Sequence, residues 1–83
     1  MTYKIALANR IERETEKAVL VEGNGTTWLP KSQIEIAKVD GKTLIKMPTW
    51  LWMEKKIHLG ITTTIDSIYE STGKIPFDPK DFE

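Results

Sequence analysis

The Asp40-Gly41 pair, set between Val39 and Lys42, constrains this chain more than any other feature. A two-residue type I′ turn needs positive φ at both central positions, and few pairs besides Asn-Gly and Asp-Gly accept that, so the flanking residues must pair as antiparallel strands. Similar chemistry lies upstream. Gly23-Asn24-Gly25 forms a second short hairpin loop, and Pro30 ends a strand because it has no N–H to give a ladder. Only short extended segments fit between these points.

Tyr3, Ile5, Leu7 and Ile11 alternate with Lys4, Ala6, Ala8 and Arg10, a period of two that predicts one strand with the first set on one face. The polar run Arg13-Glu14-Thr15-Glu16 turns the chain, and Lys17-Ala18-Val19-Leu20-Val21-Glu22 suits a strand covered on both faces. Thr26-Thr27-Trp28-Leu29 returns to Pro30, Lys31-Ser32-Gln33 bridges to a strand at 34–39, and residues 42–47 close the second hairpin. Five short strands, none stable alone, predict a mainly β (α+β) fold built on a small five-stranded SH3-like or OB-like barrel.

At Pro48 the period becomes helical, and one helix is expected over about 48–59, stopped by Gly60. Trp50, Met53 and Ile57 fall at i, i+3, i+7 and, extended by Leu51, predict the stripe that caps the barrel. Beyond Gly60 the signals conflict. Ile61, Ile65, Ile68 and Tyr69 fit a helical stripe with Gly73 as its C-cap, whereas Thr62-Thr63-Thr64 favour extended backbone. The expected organisation is therefore 1–60 as barrel plus capping helix and 61–83 as a partly ordered acidic extension.

Composition narrows the chemistry. The 83 residues contain no cysteine and one histidine, His58, which excludes disulfides, thiol nucleophiles and multi-histidine metal sites. No metal and no cofactor is expected. The net charge of zero conceals a polarity: residues 1–60 carry ten basic against seven acidic side chains (+3), and residues 61–83 carry two against five (−3). No apolar run approaches the ~18–20 residues that span a bilayer, and no signal-peptide pattern is present, so a cytoplasmic protein without membrane contact is expected.

Catalytic constellations are weak. Ser32 or Ser67, His58 and Asp66 lack any nucleophile-elbow context, and Glu12, Glu14 and Glu16 sit beside Arg10 and Arg13 as a charge-balanced strand end. The chain is not expected to be an enzyme. Binding constellations are better. Trp50 and Trp52 stand about 200° apart on a helix, so one of them is exposed or lies under the C-terminal extension. Basic residues interleaved with aromatics suit a single-stranded nucleic acid, whose bases stack on aromatic side chains. The residues expected to meet nucleic acid or a partner are Trp28, Lys31, Arg10, Arg13, Trp52, Lys55 and Lys56, with Phe77 and Phe82 as contacts from the extension.

Three segments carry a resemblance: Arg13-Glu14-Thr15-Glu16-Lys17-Ala18-Val19-Leu20-Val21, then Trp28-Leu29-Pro30-Lys31-Ser32-Gln33-Ile34, then Pro48-Thr49-Trp50-Leu51 with Lys55-Lys56. Their order resembles a small domain of phages and mobile elements that occurs alone or fused to phage-type DNA helicases. The similarity spans residues 10–60, and its Trp-x-Pro-Lys-Ser-Gln centre doubles as a turn-forming corner. It implies an accessory role in DNA or RNA transactions and assigns no catalytic residue. Two readings follow. The first is a non-catalytic binding module acting on nucleic acid; the second is a small phage-encoded inhibitor of a host protein, acting by protein–protein binding. Oligomerisation through the C-terminal segment is a third arrangement.

Overall fold

The computed structural model describes residues 2–82. Seven strands and two α-helices follow in the order β1 (Tyr3–Ala8), β2 (Arg10–Glu14), β3 (Ala18–Glu22), β4 (Thr26–Pro30), β5 (Glu35–Val39), β6 (Lys42–Pro48), α1 (Thr49–Leu59), β7 (Thr62–Thr63) and α2 (Ile65–Thr72). Single 3-10 turns occupy Lys31–Gln33 and Pro79–Phe82.

The Asp40-Gly41 turn forms as its chemistry demands, with φ of 50° and 79°, and pairs β5 with β6 from Val39↔Lys42 outward. β6 continues along β1, and β7 takes the other edge of β1, giving a four-stranded sheet in the order β5-β6-β1-β7. A second, three-stranded sheet has the order β2-β3-β4, with a bulge between Ile11 and Arg13. Among the described residues no ladder joins the two sheets, so the fold is mainly β without the closed five-stranded ring expected from the turn spacing. The breaks have local causes. At Asn9 the backbone N–H leaves β1 and bonds to Glu22 O at 2.7 Å, while Lys31–Gln33 coil between β4 and β5.

The Asn9 break also changes side-chain parity. Ile5 and Leu7 face one cluster, but Ile11 packs with Ala6 and Ala8 on the other, contrary to the single face expected for all of them. The main core lies between the sheets, where Ala6, Ile45 and Met47 meet Val19, Val21 and Leu29 under Leu51 and Leu59 of α1. A second core on the far face of β1 and β6 joins Ile5, Val39 and Leu44 to Ile68 and Phe77.

That second core fixes residues 61–82. Thr62 and Thr63 extend and pair with Ala6 and Ile5, as threonine prefers. Thr64 caps α2 by accepting from Ser67 N–H at 3.1 Å, and Gly73 ends it in the left-handed region at φ 72°. The expected single helix thus becomes two, because the polar cap and C-cap around Ile68 bury a second amphipathic turn on the sheet.

Candidate binding surface

Helix α1 has apolar residues on two sides. At 100° per residue, Leu51, Trp52, Lys55 and Leu59 share the side that faces the core, and Trp50, Met53 and Ile57 stand opposite. Leu51 and Leu59 are buried, whereas Trp50, Met53 and Ile57 are 50%, 52% and 77% exposed. The i, i+3, i+7 stripe expected to cap the barrel is therefore the outward face. Of the two tryptophans, Trp50 is the exposed one. Trp52, expected as a contact residue, packs against the main core with the Lys4 and Lys56 ammonium groups 5.7 and 5.9 Å from its ring centroid. Its indole Nε1 is buried without a hydrogen-bond partner among the described residues. Lys55 is half-buried on the core side of the helix.

Besides the core packing of Leu51 and Leu59, contacts at both ends brace α1 in this roll. Thr49 N–H donates to Thr2 O at 3.0 Å at its start. At its end the β3–β4 loop abuts the last turn, with Gly25 N–H donating to His58 O at 3.3 Å. The roll is thus braced from both ends by backbone contacts that no side-chain periodicity records.

The outward face of the three-stranded sheet carries the other expected residues. Ladder register places Arg13 opposite Leu20 and Leu20 opposite Trp28, a single cross-strand row, and Trp28 is 43% exposed. Arg10 lies one row away, bonded to Glu12 and Glu22, whose hydrogen bonds and charge raise its guanidinium further above the usual arginine value. Lys31 is ion-paired with Glu14. The structure places Trp28 and Arg13 in one row with Leu20 between them and pairs Arg10 and Lys31, two of the five expected basic residues, with carboxylates.

Both C-terminal aromatics pack on the second core. Phe77 is 5% exposed in the second core, and Phe82 packs edge-on against Tyr3 with centroids 6.4 Å apart. Beside them Lys46, buried in β6, is ion-paired with Asp81 and lies 3.5 Å from Glu35, with its ammonium 4.4 Å from the Tyr3 ring centroid. Burial pushes the Lys46 ammonium down, but the Asp81 hydrogen bond and the charges of Glu35 and Asp81 outweigh it and raise it above the usual lysine value. Sequence reasoning missed this residue because its partners are 11 and 35 positions away. Because the folded value is raised, the stabilisation is complete below the ordinary lysine range and is lost as pH climbs through the folded value. Unfolding free energy measured from pH 7 to 12 should show that alkaline fall in the wild type and lose this component in Lys46→Met.

Among the described residues no helix is long and apolar enough to cross a membrane. Among the described residues no three or more His, Asp or Glu side chains converge in a way that would hold a metal ion. Comparison with protein-family models, curated proteins and solved structures finds no match.

Proposed function

We propose that this chain is a non-catalytic binding module that docks a protein partner on the outward stripe of α1. The observation that carries the proposal is the exposure of Trp50, Met53 and Ile57 directly opposite the core face of the same helix. Three large apolar side chains at helical spacing on a small domain are the anchors of helix-in-groove recognition, and Trp and Met are enriched where interfaces bury their centres. The scaffold in this proposal is an SH3-like barrel left open between its two sheets. The motif order of residues 10–60 supports an accessory role in the DNA or RNA transactions of a phage or mobile element, with a host or phage protein as partner and the cytoplasm as its setting.

Capture from host lysate with and without nuclease tests this. The wild type should retain a protein after nuclease treatment, and Met53→Lys with Ile57→Lys should lose it while melting unchanged. Trp50→Ala alone should weaken the purified complex by about 2 kcal/mol, or roughly thirtyfold. Retention by the double variant would sink the proposal.

A second reading, single-stranded nucleic acid on the three-stranded sheet, is favoured by one observation. Trp28 shares its row with Arg13, and among the described residues no carboxylate stands within ion-pair distance of Arg13. Its measure is anisotropy of a labelled oligothymidine at low salt. Under this reading Arg13→Glu should abolish binding, while the α1 variants should bind normally.

A further inference from the structure

The 3-10 turn at Pro79–Phe82 is attached to the body by unusual means. Its backbone bonds are local: Asp81 N–H donates to Asp78 O at 3.1 Å, and Lys80 N–H to the Asp78 carboxylate at 3.0 Å. What ties it to the sheet is a pair of side chains, the Asp81 carboxylate on Lys46 and the Phe82 ring, which lies against Tyr3 and the rim of the second core. The receiving residues are built into strands. Lys46 is 7% exposed and sits between Ile5 of β1 and Glu35 of β5 in the ladder, while Tyr3 opens β1 opposite Pro48. A buried ammonium with an aromatic ring beside it is a receptor for a carboxylate followed by an aromatic residue, and the chain supplies that dipeptide itself.

The receptor extends beyond its resident. A cleft of about 340 Å³ runs from Tyr3 and Lys46 towards Ser32, Gln33 and Pro48. Another of about 370 Å³ begins at Phe82 and Tyr3 and runs along Thr62 and Thr64 to Asp66. Among the described residues the short turn leaves both open. A second copy's turn would leave them open too, since it is the same four residues, whereas a longer extended segment fills them.

We propose that Lys46 and Tyr3 form a docking site for an extended peptide of a partner protein that carries an acidic residue followed by an aromatic one, and that Asp81-Phe82 occupies this site in cis. A partner peptide therefore competes with the chain's own turn. The site is independent of the α1 stripe and stands or falls without it.

The test is anisotropy with a fluorescein-labelled peptide of residues 74–82, titrated into the full chain and into its Phe82→Ala variant. The variant should bind the peptide, and the wild type should bind about tenfold more weakly because its own turn withholds the site for most of the time. Alanine at both Asp81 and Phe82 of the peptide should abolish binding, as should Lys46→Met added to the Phe82→Ala chain. If Phe82→Ala does not fold, Asp81→Asn in the full chain makes the same comparison. Absence of binding to the opened variant, or equal binding by both chains, overturns the proposal. Concentration-dependent dimerisation of the wild type that Phe82→Ala abolishes, seen by light scattering, would assign the site to a second copy's turn and overturn it as well.

Discussion

Gly23→Ala is expected to lower the melting temperature by roughly 10 °C, while Gly25→Ala two positions later changes it by only a few degrees. A Cβ built at Gly23 would lie 2.7 Å from the carbonyl oxygens of both His58 and Leu59, and neither backbone can move aside freely. Leu59 is fully buried in the main core, so displacing its carbonyl strains the last turn of α1 and the packing beneath it. Overpacking of this kind costs about 1–3 kcal/mol, a large fraction of the margin of a domain this small. At Gly25 the nearest atom is the His58 ring nitrogen at 3.0 Å, the far end of an exposed side chain that can swing away. For a chain of this size each kcal/mol moves the midpoint by roughly 4–8 °C, so the pair separates cleanly in a thermal melt. Equal effects at the two glycines would mean that the hairpin loop does not seat the helix.

That loop also explains which parts of the fold were legible. Turn chemistry was local, so the Asp40-Gly41 hairpin, the stop at Gly60 and the C-cap at Gly73 could be read directly. The roll of α1 could not. The helix carries apolar residues on both sides, and a period of 3.6 fits Trp50-Met53-Ile57 as well as Leu51 with Leu59. The side that became core packs Leu51 and Leu59 on the two sheets and is braced by contacts from Thr2 and from the β3–β4 loop, all distant in sequence. The same limit hid Lys46. A lysine between Ile45 and Met47 reads as the solvent face of a strand, yet the residues after Gly60 fold back and cover that face. Of the candidate surface, the pairing of Leu20 with Trp28 follows from the Gly23-Asn24-Gly25 turn, whereas Arg13, expected in a turn, lies in β2 and reaches that row only through the bulge between Ile11 and Arg13. The carboxylates that neutralise Arg10 and Lys31 became apparent only once β2, β3 and the turn after β4 were placed side by side.

Phe77→Ala is expected to have the largest effect of any substitution beyond Gly60, and it decides how that region relates to the rest. Phe77 is 5% exposed among Ile5, Val39, Leu44 and Ile68, so truncation removes a ring from a packed cluster and leaves a cavity. Losses of this type run to about 3–5 kcal/mol, comparable to the whole stability expected for a small domain. The damage should not stay local. β1 contributes Ile5 to the second core and the adjacent Ala6 to the main one, and β6 does the same with Leu44 and Ile45. The two cores share a sheet, and a sheet that loses support on one face loosens on the other. Differential scanning calorimetry should therefore show one transition in the wild type, and in Phe77→Ala one transition shifted down by at least roughly 15 °C. Phe82→Ala, at a half-buried ring, should shift it by only a few degrees. An unchanged melt in Phe77→Ala would make residues 61–82 an appendage to an independently stable body. A second, earlier transition would make them a separate cooperative unit. The shared strands argue for neither: the chain should unfold once, as a whole.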